Sequence, residues 1–179
     1  MKYKILLLFS LSIATCIYLG KKLYAYYSPA KERTVYKTSK HNDDTIRIAF
    51  IGDSWAMGHK EHRCSIGKLI EDTLHHPVTI SSYGIGGLTS KEIYHAIFEI
   101  ERFKQFMRHG YDHCIICVGI NDCSKKLSTT YYKKGIDCII RFLLSNGIHP
   151  IILEIPEFNI RKVYENEMAY DKLVRNLSL

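Results

Sequence analysis

Proline and cysteine are scarce in this 179-residue chain, with four of the first and six of the second. So few thiols cannot staple a disulfide scaffold of this size. Eleven glycines without a three-residue period exclude a collagen-like filament, and the few prolines exclude a proline-rich one. No segment repeats at a period of about 20–50 residues, so a solenoid is not expected. Charge of one sign never accumulates. The 25 Lys+Arg face 18 Asp+Glu, a formal net charge of +7, yet the basic residues are scattered and adjoin one another at most in pairs such as Lys21-Lys22, Lys125-Lys126 and Lys133-Lys134. A scattered basic surface, without zinc-finger spacing or an RNA-binding signature, gives no expectation of a nucleic-acid partner. Apolar residues are plentiful by contrast. They make up 46% of the chain, which excludes wholesale disorder and fits one domain with an appendage.

The appendage is the N-terminus. Ile5 to Leu19 read ILLLFSLSIATCIYL without a charge, preceded by Lys2 and Lys4 and followed by Lys21 and Lys22. A positive start and a short apolar core fit a secretory signal. Extended by Gly20 and the lysine stems, the same stretch reads as a transmembrane anchor. Cys16 after Ile13-Ala14-Thr15 is similar to a bacterial lipoprotein cleavage box, a third reading. Each version places the domain outside the cytoplasm, exported, membrane-anchored or periplasmic, with a membrane meeting residues 1–22. Residues 23–44 read as a polar linker and 45–179 as the domain.

Four β-rich runs follow: Thr45 to Ile51, Pro77 to Tyr83, His113 to Val118 and Ile148 to Ile155. Between them lie helical patterns. One runs from Ser65 to Leu74. A second runs from a cap at Thr89 or Ser90 to about Met107, stopped by Gly110. A third runs from Thr130 to Leu144, stopped at Asn146-Gly147. The tail from Arg161 is helix-like. This β-α-β-α-β-α-β order predicts a three-layer α/β/α sandwich on a parallel, flavodoxin-like sheet. Such sheets carry their chemistry at the carboxyl ends of the strands.

The loops at those ends hold Gly52-Asp53-Ser54-Trp55, then Gly84-Ile85-Gly86-Gly87, then Gly119-Ile120-Asn121-Asp122. The first offers a hydroxyl, the second bare backbone, the third a side-chain amide. A nucleophile with N–H donors aimed at one oxygen is the layout that stabilises a tetrahedral oxyanion. In this order the three blocks resemble those of the SGNH, or GDSL, hydrolases, over about Ile46 to Ile155. The resemblance implies Ser54 as nucleophile. It implies an oxyanion hole from the N–H of Ser54, the N–H of Gly87 and the carboxamide of Asn121. Asp53 and Asp122 would hold loop geometry. The substrate implied is a small-molecule or carbohydrate ester, with O-acetyl groups foremost; no cofactor and no metal is implied.

The same family carries its catalytic base in a late Asp-x-x-His block after a fifth strand. No such block occurs after Ile155, and Glu157 to Leu179 contains no His. The domain is therefore expected to lack its last strand and helix, leaving the fourth strand as an apolar edge open to homodimer pairing. Asp72-Thr73-Leu74-His75 is a literal match at the wrong point of the chain order. Three readings stay open: a truncated copy, a catalytically silent remnant that binds without turnover, or a base supplied from elsewhere such as His59 or His62. Weak esterase activity or none is expected, because a serine hydroxyl needs an adjacent base.

Other signals point to structure. Cys114-Ile115-Ile116-Cys117 has redox spacing, but inside a strand its two thiols face opposite sides and read as core. His59-Lys60-Glu61-His62 lacks metalloprotease order, Gly67-Lys68-Leu69 is not a phosphate loop, and Thr89 breaks a dinucleotide fingerprint. Trp55 reads as packing beneath the serine loop rather than stacking on a sugar.

Overall fold

The computed structural model describes residues 2–41, 43–57, 73 and 77–154. Its elements are α1 (Lys2–Tyr27), β1 (Ile46–Gly52), β2 (Val78–Gly84), α2 (Ser90–Glu99), α3 (Glu101–Arg108), β3 (His113–Cys117), α4 (Ile120–Ser124), α5 (Thr129–Ser145) and β4 (His149–Ile152). The four described strands form one parallel sheet in the order β2-β1-β3-β4, flanked by helices, an α/β architecture. The expected helix from Ser65 to Leu74 and the tail helix from Arg161 lie outside the described residues.

β1 and β3 are strands because isoleucines recur through short, largely apolar runs, and burial on two faces follows. Ala49, Ile51, Cys114 and Ile116 face a core built with Ile93 and Ile97 of α2, Phe103 and Met107 of α3, and Ile139 and Phe142 of α5. Ile48, Phe50, Ile115 and Cys117 face the other way, against Ala56, Trp55 and Leu153. Cys114 and Cys117 therefore sit in separate cores, and burial pushes the Cys117 thiol up to about 12. Trp55 packs beneath its loop as the sequence suggested. β2 and β4 are the outermost described strands, and Ile151 and Ile152 of β4 are 46% and 50% exposed.

Two elements differ from expectation. The second helix is broken at Ile100, whose backbone is extended (φ −94°, ψ 111°). The apolar spacing continues across this residue, so periodicity gave no warning. The break lets Ile97 on one helix and Phe103 on the next reach full burial. The short helix α4, which begins inside the block Gly119-Ile120-Asn121-Asp122, had no sequence signal of its own.

The transmembrane helix expected of residues 1–22 is corrected. Among the described residues no helix is long and apolar enough to cross a membrane. The uncharged run Ile5 to Leu19 makes about 22 Å of helix at 1.5 Å per residue, short of a hydrocarbon core of about 30 Å. Beyond α1 the chain lies along the domain. The Arg33 N–H donates to the Tyr94 hydroxyl at 2.8 Å and the Thr38 N–H to Asn146 Oδ1 at 2.9 Å. Tyr36 stands edge-on to both Phe98 and Phe142.

Candidate active site

All four strands run the same way, so the loops after β1, β2 and β3 open at one end of the sheet. β1 is central, and the chain crosses from its β2 side to its β3 side. That reversal of strand order leaves a crevice at the carboxyl ends, the usual ligand position in open parallel sheets.

The loop after β1 is a tight turn held by its own aspartate. Asp53 Oδ1 accepts the Trp55 N–H at 3.1 Å, the Asp53 carbonyl accepts the Ala56 N–H at 3.1 Å, and the Asp53 N–H donates to the Cys117 carbonyl at 3.2 Å. An Asp side chain closing a turn onto the N–H two residues on mimics a backbone turn. Asp53 is buried beneath it, while Ser54 is exposed at the apex.

The chain leaving β2 comes so close to the first loop that Gly84 is restricted by contact. A Cβ on Gly84 would lie 2.3 Å from the Met57 nitrogen and 2.4 Å from the Asp53 carbonyl oxygen. A Cβ on Gly86 would lie 3.8 Å from the Ser54 Cβ, so the Gly86-Gly87 peptide is a neighbour of the serine. Gly87 has φ +77°, in the left-handed region that favours glycine.

The loop after β3 enters α4, where Asn121 sits. Its Nδ2 donates to Asp53 Oδ2 at 3.2 Å and to the Leu88 carbonyl at 3.0 Å. One carboxamide thus ties the third loop to the other two, and both its hydrogens are engaged. Asp122 is buried and accepts the Ser90 N–H at 2.8 Å and the Ser90 hydroxyl at 2.6 Å. Burial pushes both Asp53 and Asp122 up from the ordinary carboxyl range; hydrogen bonds to each oppose the rise, and the Asp122 charge adds to it at Asp53.

Sequence reasoning missed the support behind the second loop. Thr89 and Glu92 form a reciprocal capping box at the start of α2, with the Thr89 N–H and hydroxyl both donating to Glu92 Oε2 at 2.9 Å. Lys125 reaches over from the end of α4, its Nζ 2.8 Å from the Gly87 carbonyl and 3.2 Å from Glu92 Oε2. Burial raises the Glu92 carboxyl, but the bonds from Thr89 and Lys125 outweigh it and hold the group below its usual range. The spacing Thr89-x-x-Glu92 was a readable signal; nothing in the sequence pointed to Lys125.

The described histidines stand away from Ser54. His113 and His149 begin β3 and β4, at the opposite end of the sheet, with rings 5.5 Å apart. His41 bonds to the His109 carbonyl, and His95 lies 3.9 Å from Glu99. His59, His62 and the pair Asp72 and His75 fall outside the described residues. Among the described residues no group of three or more His, Cys, Asp or Glu is placed to hold a metal.

No family model and no curated protein matches the chain. Solved structures do. One is a protein described as lipolytic, of the G-D-S-L family, from Desulfitobacterium hafniense DCB-2: 20% identity over 73% of this chain and 71% of that one, TM-score 0.49. Another is the psychrotrophic esterase EstA from a Pseudoalteromonas species: 19% identity over 66% and 65%, TM-score 0.48. A third is a GDSL-like lipase from Bacteroides thetaiotaomicron: 18% identity over 59% and 47%, TM-score 0.40. The chain spans about two thirds of EstA and about half of the lipase.

Proposed function

We propose that the chain is an ester hydrolase of the SGNH type with Ser54 as nucleophile. The observation that carries this reading is the meeting of three loops at one sheet end. Gly86 abuts Ser54, and Asn121 bonds to Asp53, the residue before it. Ser54 Oγ attacks the acyl carbon, and its proton passes to a base and on to the departing alcohol. Water then releases the acid from the acyl-enzyme. The N–H groups of Ser54 and Gly87 and the amide of Asn121 stabilise the oxyanion, Asn121 giving up one present bond to do so. Losing one such donor typically costs about 10²–10³ in rate. His59 and His62, five and eight residues past the serine, are the candidate bases. Ser54 stands exposed at its turn, open to substrate; the substrate class in this reading, a small acyl group such as acetyl carried on carbohydrate, follows from the resemblance of the three blocks. The positive, apolar start of the chain supports export of the domain.

A second reading is a silent binding remnant of the same fold. It is favoured by Asn121, whose amide hydrogens are both committed to Asp53 and Leu88. Hydrolysis of a short-chain nitrophenyl ester by the purified chain separates the two. Turnover lost in Ser54→Ala supports the hydrolase; turnover indistinguishable between the two proteins removes it.

A further inference from the structure

We infer that Lys125 is a positioning residue for the second loop: it holds the Gly87-Leu88 peptide so that the adjoining Gly87 N–H faces the acyl oxygen. This rests on the hydrolase reading above and adds a residue to it. Lys125 touches no reacting atom; it acts through the backbone.

The argument starts from the glycine. Gly86 and Gly87 have no Cβ to resist rotation, and a peptide next to glycine flips easily between two orientations. Rotation about the backbone bonds of Gly87 would swing its carbonyl round relative to the Gly86-Gly87 peptide, so that the two could not keep their present orientation against Ser54 together. Two side chains of the third loop prevent it. Asn121 holds the Leu88 carbonyl, and Lys125 holds the Gly87 carbonyl at 2.8 Å. The lysine head is itself fixed. Glu92 Oε2 receives it at 3.2 Å while also accepting both Thr89 donors, and the Thr89 hydroxyl lies 3.0 Å from the Tyr131 hydroxyl. A charged donor on a carbonyl is stronger than a neutral one, and here its counter-charge is anchored to the first turn of α2. The lysine side chain is about one-third exposed, so the pair is screened and its worth is geometric.

The test compares the full chain with Lys125→Met and Lys125→Arg by two readouts. The first is the rate at which a fluorophosphonate probe attaches to Ser54, a reaction that builds negative charge on the phosphoryl oxygen. Labelling about 10- to 100-fold slower in the Met variant, recovered to within about threefold by Arg and without a shift in melting temperature, is the expected result. A labelling rate in Lys125→Met within twofold of the parent overturns the proposal. The second readout is amide hydrogen exchange over residues 86–88, which does not depend on chemistry at Ser54. If the parent protein takes no label at all, the hydrolase reading fails on its own account. Exchange then decides the loop coupling: at least tenfold faster exchange in Lys125→Met upholds it, and unchanged exchange overturns it.

Discussion

Asn121 and Asp53 are joined across the carboxyl end of the sheet, the carboxamide Nδ2 donating to the buried carboxylate at 3.2 Å. The residues are far apart in sequence, and parallel pairing of β1 with β3 brings them together. Replacing Asn121 by Ala leaves one oxygen of Asp53 and the Leu88 carbonyl without this donor. An unsatisfied buried polar group costs about 1–3 kcal/mol. Asn121→Ala should therefore lower the unfolding free energy, read from urea denaturation, by that amount, and Asn121→Asp by more, because it sets a second carboxylate against Asp53. Equal stability of all three proteins would show that the tie carries no weight.

The buried Asp122 gives a pH signature. Its carboxyl titrates above the ordinary range because burial penalises the charge. The folded chain then binds this proton more tightly than the unfolded chain does. The contribution of Asp122 to stability thus rises as pH falls through the folded value towards the unfolded one, near 3.9. Asp122→Asn keeps an acceptor for the Ser90 N–H and lets the Ser90 hydroxyl accept in turn, so the fold should persist. Urea unfolding between pH 7 and 4 should show the parent gaining stability relative to Asp122→Asn as the solution is acidified. A constant difference across that range contradicts the assignment.

The four glycines around Ser54 should respond to alanine in three different ways. At Gly52 the new Cβ would lie 2.0 Å from the Cys117 carbonyl oxygen, and at Gly84 2.3 Å from the Met57 nitrogen, both immovable backbone. Overpacking of this kind costs about 1–3 kcal/mol or more. At Gly87 nothing stands within 4 Å, and the cost is the left-handed conformation alone, about 1–2 kcal/mol. At Gly86 the nearest atom is the flexible Met57 sulfur at 3.5 Å, so stability should hardly change. Melting temperatures of the four variants check the order; a Gly86 variant as damaged as Gly84 would contradict the packing described.

The sheet was legible because β1 and β3 are largely apolar, isoleucine-rich runs and the loops after them carry recognisable residue types. The helix ends at Thr89 and at Asn146-Gly147 were legible because capping depends on residues adjacent in sequence. The break at Ile100 was not, because Ile93, Ile97, Ile100 and Phe103 keep a helical spacing straight through it. Lys125 was hidden for a different reason. A lysine next to another lysine on a polar stretch reads as solvated surface, and its partners, Gly87 and Glu92, are 38 and 33 positions away in the chain. Only the folded arrangement of α4 beside the second loop gives it a task.

The most direct test of the account is the site of covalent capture. The purified chain is treated with a fluorophosphonate probe, and the adduct is located by mass spectrometry of its peptides. The account predicts a single adduct on Ser54, absent from Ser54→Ala and slowed in Asn121→Ala. An unlabelled chain, or a probe found on another residue, would contradict it.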